Sequence, residues 1–374
     1  MENTPVKKQT LISKAFNLPA LKKSRLYWVD YLKGIAIILV VYRHALLGIQ
    51  RSGLTIPDAF VNANMIFYSF RMPLFFMLSG IFISRSLAKR TVKQFVSTKF
   101  ETLLYPYLIW VTIQITLQIV MSSFTNSNRT LIDYTYILYQ PRNLDQFWYL
   151  PALFNSTVIF VLIKKYVNGK WWLQISLGIG FYFLSPYLQN ISMLSDWMEF
   201  YIFVAIGDAI SEIFFKERVQ NLFKNYLTLI LATPVFIFAQ IYYLNHQTTQ
   251  LQFLCIAFIG CFTMLSLAFI FQRLNILSFL RIVGYHSLNI YVIHVMIAAL
   301  TRIFLTHVMH INNAITILFV CIIVGSILPI IIYNLLIRDN ILWFLFTYKK
   351  SHKKQPKSAE INLVPSAPSA VQTT

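Results

Sequence analysis

The chain has 374 residues, of which 57% are hydrophobic and only 12% charged, and its formal net charge is +19. A soluble core has no use for so many separate apolar runs long enough to cross a bilayer, so a polytopic membrane protein is expected and a soluble globular enzyme is excluded. The basic residues cluster beside those runs, where orientation and anionic lipid explain them better than nucleic acid does.

In chain order, the first 26 residues carry Lys7, Lys8, Lys14, Lys22, Lys23 and Arg25 without an apolar core or a small-residue cleavage site, so no cleavable signal peptide is expected there. Apolar segments follow near 27–49, 59–84, 102–122, 147–163, 171–188, 197–213, 222–244, 251–271, 286–306 and 313–337. The longest loop, roughly 123–146, is polar and ends at Phe147, Trp148 and Tyr149, an aromatic group suited to a membrane interface and a candidate lid. Cys255, Cys261 and Cys321 lie in apolar segments without paired spacing, which argues for packing rather than disulfides or a metal site. From Lys349 onward the chain is rich in Lys, Ser, Pro and Ala, so residues 347–374 are expected to form a disordered tail. The expected organisation is therefore a basic tail over 1–26, a membrane domain over 27–346 and that C-terminal tail.

The fold class expected is all-α: a bundle of about ten transmembrane helices with both termini on one side. Alternate connections then carry 24 of the 32 Lys and Arg residues on the side of the termini and only Arg51, Arg129 and Arg142 on the other. The positive-inside rule makes the richer side cytoplasmic. Lys33, Arg43, Arg71, Arg302 and Arg338 remain inside the spans. The halves show no internal repeat, which weakens a transporter built on two related halves.

Lys33 and His44 stand eleven residues apart on the first helix. At about 100° per residue that is roughly 20° past three turns, so both share a face about 16 Å apart along the axis, and one groove can contain both. Ionisable groups in a membrane helix face a polar interior or a cavity. Lys33 then lies near the cytoplasm and His44 nearer the outer face. A coenzyme-bound acyl donor, anionic at one end and a thioester at the other, matches a cationic mouth with a deeper imidazole that takes a proton from an attacking hydroxyl. The alternative is a snorkelling Lys33 paired with Asp30 and a His44 that bridges helices.

On the second helix, Pro73 interrupts the ladder, and Ser79 and Gly80 permit close helix approach. Arg71 lies at a depth near His44, suited to an oxyanion or a charged acceptor, or else snorkelling to outer headgroups. Arg85, Lys89 and Arg90 form a basic cluster in which Arg85 and Arg90 are candidate clamps on donor phosphates; loop cations obeying the positive-inside rule are the plainer account. On the ninth helix, Ser287, Tyr291 and His294 follow i, i+4, i+7 spacing and make a second polar face, which either packs on the Lys33–His44 face or joins helices. Arg302 has no assigned role, and neither do His246, His307 and His310, which lack metal-ligand spacing. Walker, Gly-x-Ser-x-Gly, His-Glu-x-x-His and dinucleotide motifs do not occur.

The run Asp30-Tyr31-Leu32-Lys33-Gly34-Ile35-Ala36 followed by His44 resembles the first-helix motif of the membrane acyltransferase-3 family, in which a basic residue and a histidine are separated by ten positions. The blocks from Met72 to Gly80, Tyr105-Pro106-Tyr107, Phe147-Trp148-Tyr149-Leu150 and Ser287 to His294 resemble further blocks of that family in the same order. Most members have Arg where this chain has Lys33, and the Lys-Gly form is similar to the branch related to fucose 4-O-acetylases. Lysine keeps the charge but loses the bidentate fork, so the histidine carries over more securely than the phosphate-binding role.

The resemblance implies O-acylation, most often O-acetylation, of a carbohydrate in a surface glycan, free or linked to lipid. It implies acetyl-coenzyme A or another acyl-coenzyme A as co-substrate, no permanently bound cofactor, and a multi-pass protein of the bacterial inner membrane. Some members carry an extracellular hydrolase-like domain; this chain is expected to act alone or with a separate partner. The competing expectation is a transporter or flippase of a glycan or lipid-linked intermediate, without transfer chemistry.

Overall fold

The computed structural model describes residues 10–21, 26–122, 129–167, 169–338 and 340–349. Among them every regular element is helical. The ten long apolar segments become α1 (Tyr27–Arg51), α2 (Asp58–Ile81), α3 (Tyr105–Val120), α4 (Tyr149–Tyr166), α5 (Trp171–Leu184), α6 (Ser192–Phe214), α7 (Tyr226–Asn245), α8 (Gln250–Leu274), α9 (Ser287–Ile303) and α10 (Ala314–Ile332).

Eight helical segments of the described residues are long and apolar enough to cross a bilayer; α5 and α6 differ from the other eight. At 14 residues α5 extends about 21 Å, short of the roughly 30 Å hydrocarbon core. α6 is long enough at 23 residues but carries Asp196, Glu199, Asp208 and Glu212. Glu212 is exposed, and the other three find cations where α6 packs among α2, α4 and α5. Arg142 pairs with Asp196 and with Glu199 (2.6 Å), and Lys164 pairs with Asp208, which also accepts from the Ser84 hydroxyl at 2.6 Å. Acids in an apolar bundle persist where such partners compensate their desolvation.

Two crossings set the frame. α1 meets the short helix Phe279–Tyr285 through Gly34 and Gly284, where an added Cβ would collide with the carbonyl oxygens of Leu280 and Asp30 respectively. α2 meets α6 through Gly80 and Gly207 in the same reciprocal way, against the carbonyl oxygens of Val204 and Met77. Only glycine permits backbones that close, and small residues are how membrane helices gain packing contact without a hydrophobic drive between them. The close approach expected at Gly80 is thus realised. α1 also packs against α2, α8, α9 and α10, which makes it the central rod of the bundle. At its Lys33 end Trp28 is enclosed by the rings of Phe269, Phe214 and Phe82, with centroids 5.1, 5.3 and 6.1 Å away.

Part of the basic N-terminal stretch is docked on this frame. Leu11–Ala15 and Leu18–Leu21 form short helices; Asn334 donates to the Ala15 carbonyl at 2.9 Å and Arg281 to that of Leu21 at 3.3 Å. Ala15, Phe16 and Leu21, spaced among the lysines, supply apolar contacts that a purely charged tail lacks. Residues 350–374, most of the expected C-terminal tail, lie outside the described residues, as do residues 123–128 of the long loop.

Candidate active site

α1 delivers Lys33 and His44 to two different cavities. Lys33 lines an inner cavity of about 410 Å³ with Ser79, Lys99, Thr102, Tyr149, Ser287 and Tyr291 among its other walls. His44 lines an outer cavity of about 250 Å³ together with Arg51, Gln114, Gln118, Asp145 and Arg302. The eleven-residue spacing suggests one groove holding both groups, whereas the two side chains line separate cavities. Side chains from α9 and from the loop before α4 stand between them.

Among the described residues no acidic side chain lines the inner cavity. Its two cations, Lys33 and Lys99, act on each other electrostatically. Lys99 reaches it from the end of the helix Val92–Lys99, just before a widened turn over Phe100–Leu104 in which the Tyr105 N–H bonds the Phe100 carbonyl five residues back. Pro106, which has no N–H to give, follows at the start of α3 and disturbs the ladder there. Arg85 and Arg90, the expected phosphate clamps, are not on the cavity wall. Both are exposed, and the Arg85 guanidinium stacks 3.2 Å from the centre of the Phe215 ring. The cation that does face the cavity, Lys99, sits in the same run of loop-side charges, where sequence spacing does not distinguish it.

The partition between the cavities is built by α9. Ser287 and Tyr291 line the inner cavity, and His294 follows one turn later, fully buried. The Tyr291 hydroxyl donates to the Gln146 carbonyl, while the Gln146 amide donates to Gln114 of the outer cavity at 2.8 Å. The Tyr149 ring lies 5.3 Å from that of Tyr291. His294 Nδ1 lies 2.8 Å from the Tyr291 carbonyl and 3.0 Å from that of Ile290. Carbonyl oxygens only accept, so Nδ1 carries the proton of the neutral ring and Nε2 keeps its lone pair. No hydrogen bond engages Nε2 among the described residues. The His44 and His294 rings meet edge to face with centroids 5.2 Å apart.

His44 itself is open to the outer cavity, and Arg43, Arg71 and Arg51 all act on it electrostatically. Arg71 is buried, and its guanidinium bonds the Leu39 carbonyl at 3.1 Å and Asn64 at 3.3 Å rather than lining either cavity. It therefore ties α2 to α1 five residues before His44. Over the mouth of the outer cavity, Asp145 pairs with Arg51 at 2.9 Å and Arg129 at 3.4 Å. Its backbone sits at φ 56°, ψ −112°, a conformation that costs a non-glycine residue about 1–3 kcal/mol and persists where surroundings enforce it. This strained residue immediately precedes Gln146 of the partition. Asp145, Gln146 and Gln114 carry no spacing signal in the sequence, and only the folded loop brings them to the site.

Two lysines lining one cavity and an imidazole lining the other make an arrangement suited to transfer between a charged donor and a polar acceptor. Residues 26–334, from α1 through α10, match the family model described as an acyltransferase domain. Nodulation protein NolL of Mesorhizobium japonicum is 27% identical over 186 residues, 49% of this chain and 48% of that protein. The chain thus spans about half the length of the curated relative it matches. No solved structure matches. With the family model covering every long helix of the bundle, the chain belongs to the acyltransferase-3 family, whose chemistry is the transfer of acyl groups.

Proposed function

We propose that this protein is a membrane O-acyltransferase that moves an acyl group, most simply acetyl, from acyl-coenzyme A to a hydroxyl of a surface-glycan carbohydrate. The single observation that carries the reading is the contact of His44 with His294 at the wall between a cationic cavity and a second cavity at the other end of α1. The inner cavity opens toward the cytoplasm in this reading, as the charge bias of the loops supports, with both termini on that side and the bacterial inner membrane as its site. Lys33 and Lys99 hold the donor phosphates. Arg85 and Arg90, exposed at the same end, attract the donor before it docks rather than clamp it.

The acceptor hydroxyl binds in the outer cavity beside His44. The imidazole takes the hydroxyl proton as the oxygen attacks the thioester carbon; the C–O bond forms, the C–S bond breaks, and the proton passes to the departing thiolate. The cations around His44 stabilise the oxyanion formed on the way. His294, its tautomer set by two carbonyls, holds the His44 ring in place. Membership in a family of acyl-transferring proteins favours this reading over a transporter without chemistry. Membranes holding the full chain, given radiolabelled acetyl-coenzyme A, are expected to label glycan; equal labelling by a folded His44→Ala variant would defeat the mechanism.

A further inference from the structure

Of the two cations lining the outer cavity, Arg51 is paired with Asp145, whereas Arg302 has no ion pair among the described residues. It lies on α9 at i+8 from His294, with Ala298 between them on the same face and on the same cavity wall. The residue is only 7% exposed, yet it lines the cavity, and among the described residues no hydrogen bond or ion pair engages its guanidinium. The one carboxylate on that wall, Asp145, is already held by Arg51 and Arg129. A buried guanidinium without a partner is costly, and such groups mark substrate or ion sites inside membrane bundles.

The position relative to His44 is also defined. Gly48, one helical turn or about 6 Å beyond His44 on α1, lies beneath Arg302, whose Nε would stand 3.9 Å from a Cβ built there. The absence of a side chain at Gly48 leaves room next to the guanidinium on the side of the imidazole. A planar five-donor fork in that space fits an oxyanion with two oxygens to offer.

We infer that Arg302 is an anion subsite for the acceptor: the molecule whose hydroxyl meets His44 carries a carboxylate or phosphate roughly one helical turn away from it. The inference rests on the acyl-transfer reading of the outer cavity and adds the chemical class of its substrate. The anion has two sources, a sugar acid within the glycan or the diphosphate that links a glycan to its lipid carrier.

The test measures binding, not turnover. The full chain in lipid nanodiscs, without acyl donor, is titrated with two matched pairs: a tetrasaccharide ending in glucuronate against one ending in glucose, and a polyprenyl diphosphate against the polyprenol. At least a tenfold preference for the anionic member of one pair is expected, and the pair that shows it names the source. Arg302→Gln brings that preference to within about twofold of unity, and Arg302→Lys keeps part of it. Gly48→Leu, which crowds the space without removing charge, also weakens the anionic probe and serves if Arg302→Gln does not fold. No preference in either pair, or a preference that survives Arg302→Gln, or one unmoved by both Arg302→Lys and Gly48→Leu, overturns the proposal. Because no donor is present, loss of the anion preference and failure of acyl transfer are read separately.

Discussion

His44 and His294 stand edge to face across two helices, with ring centroids 5.2 Å apart and planes inclined by 65°. His294 is anchored at Nδ1 to its own helix backbone, so its ring cannot swing without losing both carbonyl contacts. His44 has the cavity in front of it and His294 beside it. In the proposed reaction His44 is the group that meets substrate and His294 the one that positions it.

A His294→Ala variant is therefore expected to lower kcat by about 10-fold or more while leaving the KM of both substrates nearly unchanged. The loss at His44→Ala should be larger, about 10²–10⁴-fold for a general base. The pH–rate profile separates the roles: it shifts when His294 is replaced, whereas a folding defect lowers only the amount of active protein.

Lys33 and Lys99 line the same cavity and in the proposed reading hold the donor phosphates, so either Lys→Gln change is expected to raise the KM for the acyl donor by roughly 10-fold, with a steeper dependence on salt in the wild type than in the variants. Arg85→Gln and Arg90→Gln, at exposed positions off the wall, are expected to change donor KM by less than about threefold. Steady-state kinetics at varied donor concentration and ionic strength check both statements.

Asp133 supplies a pH dependence outside the membrane spans. Burial works to raise its pKa, but the Thr130 backbone N–H at 2.7 Å and Arg129 at 2.9 Å outweigh burial and hold the carboxyl below its ordinary value. The charged form is favoured by folding, so its contribution is complete above the unfolded pKa and disappears as pH falls through the lower folded one. Melting curves from about pH 5 down to about pH 3 are expected to show wild type losing more stability than Asp133→Asn.

Glycine contacts predict opposite signs at two positions. Gly34→Ala puts a methyl into the Leu280 carbonyl and should cost about 1–3 kcal/mol or force α1 away from its neighbour. Gly180→Ala meets open space within a helix and should be neutral or stabilising by up to about 1 kcal/mol. Thermal unfolding in detergent distinguishes them.

Much of the frame was legible because apolar runs report helices directly: all ten segments are helical. The spacing of Ser287, Tyr291 and His294 puts them on one face but leaves open whether that face meets α1 or only joins helices; in the structure His294 reaches the His44 ring. The partition was not legible. Spacing on α1 gives an angle and a rise, and neither says whether Tyr291 and Gln146 of other elements come between Lys33 and His44. Lys99 was hidden among charges that orientation alone explains, and Arg302 stood apart from any motif. Arg71 acts on His44 electrostatically, as its depth suggests, but its Nη1 bonds to Leu39 and Asn64 are not readable from spacing. The short length of α5 and the paired acids of α6 likewise depend on neighbours that one segment does not reveal.

Sidedness is the most direct test, since the account places donor and acceptor on opposite faces of a wall at His44 and His294. Proteoliposomes of uniform orientation are loaded with acceptor on one side and radiolabelled acetyl-coenzyme A on the other, and also with both on the same side. Labelled acceptor is expected when the donor faces the Lys33 cavity and the acceptor faces the His44 cavity, and none in the other arrangements. Equal labelling with both substrates on one side would contradict it.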